Sequence, residues 1–193
     1  MTAASTPKGE RRRAALVEAA AELLVESGFD AVRHRAVAER AGLPLASTTY
    51  YFDSLEDLVA AAVEYRGRFE LAQGRAQLDK LGTEPLGVDT LVEVVLDQLL
   101  GEDTTYEAVL LRYERLVTTG RRPYLRPLMR AMQVELYELL TEIFARSGRP
   151  VEEKRLVELV ALVDGAVVNA FIEVAPDPRG VARAMLRDAL TYP

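Results

Sequence analysis

The chain of 193 residues has no cysteine and a single histidine, His34. The lack of cysteine excludes disulfide bonds and thiolate metal sites, and it fits a reducing cytoplasm. One histidine cannot build a histidine metal cluster, so we interpret His34 as an ordinary helix residue rather than as a ligand or a catalytic base. We therefore expect a cytoplasmic protein that holds no metal and no other cofactor.

Several longer patterns are also missing. No apolar run approaches the length of a membrane span, and the N-terminus has no oily signal core. There is no GxSxG elbow, no phosphate-binding loop and no HExxH motif, so nothing marks an enzyme. No segment alternates apolar and polar residues as a half-buried strand would. Because hydrophobic residues make up 49% of the chain, which is enough for a core, the sequence predicts an all-helical globular protein.

The charge is distributed unevenly. Residues 1–53 hold seven basic and seven acidic side chains, so the remainder carries the whole net charge of −6. A neutral N-terminal part with local basic clusters permits nucleic-acid binding through a small footprint. One such cluster is Arg11, Arg12 and Arg13, which opens the first predicted helix. A charge run of this kind favours a solvated helix start over a specific minor-groove arm, and a weak phosphate contact fits both interpretations.

The stretch 32–55, VRHRAVAERAGLPLASTTYYFDSL, organises the chain. Its first part carries apolar residues at helical spacing as far as Ala41. Gly42 is placed to end that helix, because glycine takes the left-handed conformation at little steric cost. Pro44 suits the first turn of a second helix over about 45–52, which has mainly small and hydroxyl side chains. This pattern is typical of a helix-turn-helix whose second helix fits a major groove.

The segment HRAVAERAGLPLASTTYYFDSLEDL resembles the DNA-binding signature of the TetR (tetracycline-repressor) family of bacterial transcription regulators. The resemblance implies a repressor that binds a near-palindromic double-stranded operator as a homodimer and is released by a small, largely apolar effector. The chain departs from the family pattern at Leu55, where many members carry a phosphate-binding lysine. The alternatives are a helical enzyme or small-molecule carrier without a DNA role, and a constitutive binding module without a ligand.

The resemblance assigns the DNA contacts to the second helix of the motif and its surroundings. In this mapping Thr48 packs inward and Phe52 anchors the core. The residues that face the groove are Leu45, Ala46, Ser47 and Thr49. The predicted phosphate contacts are Arg33, Arg35, Tyr50 and Tyr51, since hydroxyl and guanidinium donors suit phosphate oxygens.

We predict two domains: a three-helix DNA-binding head over residues 1–53 and a helical bundle for ligand binding and dimerisation over residues 54–193. The fold is all-α with about nine helices. A helix begins at Ser54, and we expect it to bend or stop between Gly67 and Gly74, because glycine weakens helices. A loop follows over 82–87. The other predicted helices span about 8–27, 33–41, 45–52, 88–100, 104–119, 126–147, 152–174 and 177–191.

The bundle contains tyrosines, methionines and a few polar residues that could line an effector site. Pockets place few polar groups among apolar walls, although such residues are also common in cores. The predicted ligand-binding residues are Tyr65, Phe69, Tyr106, Tyr113, Met129, Met132, Gln133 and Asn169. For Asn169, internal hydrogen bonding or packing at a partner helix is an equal alternative.

The predicted eighth helix is apolar nearly all round, so one side of it needs a partner. Its small residues at positions 161 and 165 lie one turn apart and would let another helix approach closely. The ninth helix adds a second apolar stripe. A four-helix dimer interface is therefore expected, as the resemblance also implies. Its predicted residues are Ala161, Gly165, Val168, Ile172, Met185 and Leu186.

Overall fold

A computed structural model describes residues 6–80 and 85–191. Over these ranges the chain forms nine α-helices and two short 3-10 turns and contains no strand, which confirms the all-helical class. None of the described helices is long and apolar enough to cross a membrane. The helices are α1 (Pro7–Ser27), α2 (His34–Arg40), α3 (Ala46–Tyr51), α4 (Leu55–Lys80), α5 (Val88–Leu100), α6 (Tyr106–Thr119), α7 (Arg126–Arg146), α8 (Glu153–Ile172) and α9 (Pro178–Thr191).

The described residues divide into two compact units. Unit 1 contains residues 6–69 and 113–129, and unit 2 contains residues 70–80, 85–112 and 130–191. Three helices, α4, α6 and α7, therefore contribute residues to both units. The domain boundary after residue 53 that we expected from the sequence stays a prediction.

The predicted helix bounds agree closely with those observed, with one exception on α4. This helix runs without a break through Gly67 and Gly74, so it does not stop between them, and a bend there stays a prediction. Gly74 has a packing role instead. A Cβ atom there would lie only 2.0 Å from Oε1 of Gln98 and 2.6 Å from Cδ2 of Leu139, so the glycine lets α5 and α7 side chains approach the α4 backbone. Residues 82–84 of the predicted loop lie outside the described ranges.

Unit 1 has its core between α1 and the short helices that follow. Buried apolar side chains of α1, such as Leu16 and Leu24, form one cluster with three others. These are Val37 of α2, Phe52 just after α3, and Leu58 of α4. Apolar residues at helical spacing on α1 make this burial possible, because they share one face of the helix. The core of unit 1 thus fixes the position of α3, which is too short to be stable alone.

Unit 2 is built around α8, whose inner face is buried throughout: Leu156, Leu159, Val160, Val163, Ala166, Val167 and Ala170. Helix α9 packs on both α8 and α5. The buried residues of α7 on the same unit include Leu139, Leu140, Ile143 and Phe144. The eighth helix therefore buries one face within the unit and leaves the other face exposed.

Ion pairs at four-residue spacing connect α9 to α5, which run antiparallel. Arg179 binds Asp97 at 2.6 Å, and Arg187 binds Asp89 at 3.1 Å. Between them Arg183 binds Glu93, and this hydrogen bond holds the pKa of Glu93 below its ordinary value. The pair at Arg179 is the buried one, because that side chain is only 3% exposed, and its guanidinium also donates to the carbonyl of Gly101 at 3.0 Å.

The end of α8 is strained. The amide of Ala175 donates to the carbonyl of Ala170 at 2.8 Å, and that of Val174 donates to Phe171 at 3.2 Å. This closure requires a left-handed residue, and here it is Val174, with φ of 55°. A β-branched residue at positive φ is a genuine outlier, since its Cβ crowds the backbone. The Val174 side chain is 77% exposed, so burial does little to offset the strain.

Candidate functional site

The turn between α2 and α3 is fixed by backbone hydrogen bonds. Gly42 has φ of 63°, and its amide donates to the carbonyl of Glu39 at 3.1 Å. The next amide, that of Leu43, donates to the carbonyl of Ala38 at 2.9 Å. This is the glycine-terminated helix end that the sequence predicted. The Leu43 side chain packs against the unit 1 core, which holds the turn in place.

Helix α3 has a buried face and an exposed face. Thr48 is fully buried and donates its hydroxyl to the carbonyl of Leu45 at 2.8 Å, and Phe52 is buried just after the helix. Both placements match the expectation. On the other face the structure brings four of the predicted contact residues together as exposed side chains, and it leaves Ser47 half-buried beside them. These exposed residues are Leu45, Ala46, Thr49 and Tyr50.

The two tyrosines at the end of α3 have different environments. Tyr50 is 75% exposed, whereas Tyr51 packs against the core of unit 1. Their rings meet edge to face, with centroids 4.8 Å apart. The ring of Tyr51, which is fixed by the core, therefore supports the exposed ring of Tyr50.

The predicted arginine contacts lie at the start of α2. Arg33 precedes the helix in an extended conformation, and its Nε donates to the carbonyl of Asp30 at 3.0 Å. Arg35 is exposed on the first turn and makes no ion pair within the described residues. Both guanidinium groups thus retain donors that an external phosphate could accept.

A third arginine on α2 connects this helix to α1, and our sequence analysis missed it. Arg40 binds Glu26 at 2.7 Å and Glu22 at 3.1 Å. These hydrogen bonds raise the pKa of Arg40 and lower that of Glu26. The signal in the sequence was the pair of glutamates one turn apart on α1, which can share a single guanidinium. Arg40 therefore joins α1 to α2 through ion pairs at the protein surface.

The arginine cluster at the start of α1 is not uniformly solvated. Arg11 donates from Nε to the carbonyl of Pro7 at 3.2 Å, and Arg12 is exposed. Arg13, by contrast, places its guanidinium carbon 5.0 Å from the centroid of the Phe52 ring. The sequence did not reveal this contact, because the two residues are far apart along the chain.

Helix α4 begins beside the end of α3. The hydroxyl of Ser54 accepts a hydrogen bond from the amide of Asp57 at 3.0 Å, which is the serine half of a capping box. Leu55 follows with its side chain partly exposed at the first turn. Since the next two residues, Glu56 and Asp57, are acidic, this turn offers no cation.

The predicted effector residues do not all belong to one unit. Tyr65, Phe69, Tyr113 and Met129 lie in unit 1. Among these, Tyr65 and Phe69 are exposed one turn apart on α4, and the guanidinium carbon of Arg66 lies 5.5 Å from the Phe69 ring centroid. Tyr113 is buried and Met129 half-buried.

The other four predicted effector residues lie in unit 2. Tyr106 meets Phe171 edge to face, with ring centroids 5.4 Å apart, and Met132 is buried. Gln133 and Asn169 are exposed. Asn169 lies on the outer face of α8, because α8 buries only its opposite face. Its exposure does not fit the internal hydrogen bonding given as one alternative, while ligand contact and packing at a partner helix stay predictions.

Most predicted dimer residues lie on that outer face of α8. Ala161, Gly165, Val168 and Ile172 are all exposed, and a Cβ atom at Gly165 would meet nothing within 4 Å. Met185 of α9 is also exposed. The remaining residue, Leu186, is corrected: it is fully buried inside unit 2, so it belongs to the core of the subunit.

A helix-turn-helix with an exposed second helix, in an all-helical chain, defines a DNA-binding transcription regulator. Residues 16–62 match the family model of bacterial regulatory proteins, tetR family, and residues 86–191 match the tetracyclin repressor-like C-terminal domain. The chain belongs to the TetR family of transcription regulators, which are not enzymes.

Solved structures of the same fold support this assignment. The multidrug binding protein EbrR in complex with imidazole is 30% identical, with 94% of this chain and 96% of that chain covered and a TM-score of 0.66. Its complex with ethidium gives 29% identity, coverage of 92% and 98%, and a TM-score of 0.67. Other EbrR structures contain proflavin and malachite green.

A putative transcriptional regulator from Saccharomonospora viridis, in complex with choline, shares the fold. It has a TM-score of 0.73 at 18% identity, with 95% of this chain and 97% of that chain covered. A comparison with curated protein sequences gave no match.

Proposed function

We propose that this regulator is a ligand-responsive repressor that acts in the cytoplasm. It binds a near-palindromic operator as a homodimer and leaves the DNA when a small effector binds. The observation that carries this proposal is the exposed face of α3, which presents small and hydroxyl side chains beside Tyr50. A dimer with two such helices reads half-sites about 34–36 Å apart, or a multiple of that distance.

Sequence recognition is assigned to the exposed side of α3. A methyl group such as that of Ala46 contacts the thymine methyl, and hydroxyls such as those of Ser47 and Thr49 bond either kind of base edge. None of these side chains is a bidentate reader, so DNA shape supplies part of the specificity. The phosphates are contacted by Tyr50, Tyr51, Arg33 and Arg35. These contacts fix the register of the protein on the duplex.

The dimer forms through the outer face of α8, extended by Met185 of α9. This face exposes Val168 and Ile172, and contiguous exposed apolar patches mark interaction sites. Ala161 and Gly165 lie one turn apart on that face, and the space above Gly165 is open. A partner helix could therefore approach the α8 backbone closely. A two-fold axis there would pair two DNA-binding heads (residues 1–53) through two bundles (residues 54–193).

The effector is a largely apolar, aromatic molecule with at most a single positive charge. EbrR, a relative of this chain, has been solved with ethidium, proflavin and malachite green, which are aromatic cations. Aromatic faces attract such cations, and in this chain Tyr65 exposes its ring on α4. A highly charged anion, such as a phosphate ester, does not fit a chain whose net charge is −6.

The function is tested by selecting bound duplexes from a random DNA pool and then titrating effectors into the complex. Malachite green should bind the free protein in calorimetry and release the selected duplex, whereas a sugar phosphate should do neither. Ethidium and proflavin serve only in the calorimetry, because they intercalate into DNA. If no DNA sequence were enriched, the proposed regulator function would be refuted. If a sequence were enriched but no aromatic compound released it, the protein would be a constitutive DNA-binding module.

The dimer is tested with the double variant Ala161→Leu and Gly165→Leu. The added bulk should prevent close approach of two α8 helices, giving monomers or aggregates in light scattering and weak operator binding. Glu138→Leu, at an exposed position on α7, is the control for added apolar surface. A double variant that remains dimeric and binds DNA normally would place the interface elsewhere.

A further inference from the structure

We propose that Arg13 is a DNA phosphate contact that Phe52 holds beside the end of α3. This inference rests on the proposed function, since it requires α3 to enter the major groove. It adds a residue of α1 to the DNA-binding surface. It also singles out one of three consecutive arginines that the sequence alone treats as equivalent.

The position of Arg13 is set by a rigid neighbour. Phe52 is the first residue after α3, and it is buried in the unit 1 core. The Arg13 guanidinium carbon lies 5.0 Å from the centroid of this ring, while Arg13 itself remains exposed. A positive charge is thereby fixed at the C-terminal end of the recognition helix, on the solvent side of the core.

The contact with the Phe52 ring leaves the donors of Arg13 available. A guanidinium that interacts with an aromatic ring through its charge keeps its N–H groups for other partners. Within the described residues, Arg13 makes no hydrogen bond and no ion pair. Because the ring already restricts the side chain, less rotamer entropy is lost when a phosphate binds.

The two neighbouring arginines lack this arrangement. Arg11 uses its Nε on the carbonyl of Pro7, and Arg12 is exposed without a recorded partner. The first turn of α4, which follows Phe52, has Leu55 in its first position and then two acids. Arg13 therefore supplies a cation near the end of α3 that this turn does not.

The salt dependence of DNA binding tests the proposal. Binding to a fluorescent duplex of about 30 base pairs, about three helical turns, is measured between about 50 and 200 mM salt. Arg13→Gln should reduce the slope of log K against log salt by about 0.9 per bound subunit, the value for one phosphate contact. Arg12→Gln is the matched control and should leave the slope unchanged.

A rescue variant separates the phosphate contact from a structural effect. Leu55→Lys, added to Arg13→Gln, places a cation in the first turn of α4, three residues after Phe52, and should recover the lost slope, although it does not restore the contact with the ring. Equal losses for Arg12→Gln and Arg13→Gln, or an unchanged slope for Arg13→Gln, would overturn the proposal while leaving the regulator function intact. If the wild-type protein bound no duplex at all, both the proposed function and this inference would be refuted.

Discussion

Val174 offers a sharp test of the structure, because its strain can be removed by one substitution. The left-handed conformation costs a residue with a Cβ atom about 1–2 kcal/mol. Glycine avoids this cost but loses about 0.5–1 kcal/mol through greater freedom in the unfolded chain. Little burial is lost, since the side chain is 77% exposed. Val174→Gly should therefore stabilise the protein by about 0.5–1 kcal/mol.

The neighbouring residue supplies the matched control. Glu173 is also exposed, but its φ is −85°, which any residue adopts. Glu173→Gly should gain nothing from relieved strain and should destabilise the protein by about 0.5–1 kcal/mol. The free energies of unfolding of the two glycine variants should thus differ by about 1–2 kcal/mol, although both substitutions remove exposed side chains at neighbouring positions.

Urea denaturation followed by far-UV circular dichroism measures this difference. Both variants should be compared at the same protein concentration and again at a higher one, because the proposed dimerisation would make stability depend on concentration. If Val174→Gly were no more stable than Glu173→Gly, the positive φ would not carry the assumed strain. If the gain appeared only at one concentration, the effect would come from subunit association.

Three further predictions follow from the contacts described above. Tyr51→Phe should weaken binding to all duplexes alike, whereas Ser47→Ala should change base preference by about 1–3 kcal/mol at a directly contacted pair; a changed preference in Tyr51→Phe would contradict its phosphate role. Arg179→Ala should cost about 1.5–3 kcal/mol in urea denaturation, because it removes the charge-assisted hydrogen bonds of a buried guanidinium, whereas Arg187→Ala, which breaks an exposed pair, should cost no more than about 1 kcal/mol. Because the pKa of Glu93 is lowered from its ordinary value of 4.5, its contribution to stability is complete above that value and is lost as the pH falls below it. Glu93→Gln should therefore reduce the acid sensitivity of thermal unfolding, and an unchanged pH profile would refute this.

Local chemistry made much of unit 1 predictable. The spacing of apolar residues and the requirement for positive φ at Gly42 act within a few residues, so the sequence carries them directly. The inward position of Thr48 and the cap at Ser54 are similarly local. These features are enough to predict the helix-turn-helix and the exposed face of α3.

The features that the sequence did not reveal depend on residues far apart in the chain. The ion pair of Arg40 with Glu26 joins α2 to α1. The contact of Arg13 with Phe52 joins α1 to the residue that follows α3. Gly74 looked like a helix breaker because the side chains that approach it belong to other helices. Helix α8 is apolar nearly all round, so periodicity could not show that Asn169 lies on its outer face.

The ion pairs between α5 and α9 cannot by themselves fix how these helices align. If α9 slid by one turn, Arg183 would meet Asp97 and Arg187 would meet Glu93, so two of the three pairs would re-form. The buried side of α9 distinguishes the registers, because Ala182 and Leu186 are both fully buried one turn apart. A slip that moved Leu186 into the place of Ala182 would overpack the core, at a cost of about 1–3 kcal/mol. A slip in the opposite direction would put Ala182 in the place of Leu186 and leave a cavity, at a cost of about 2–5 kcal/mol. Charge draws the two helices together, and side-chain volume selects their register.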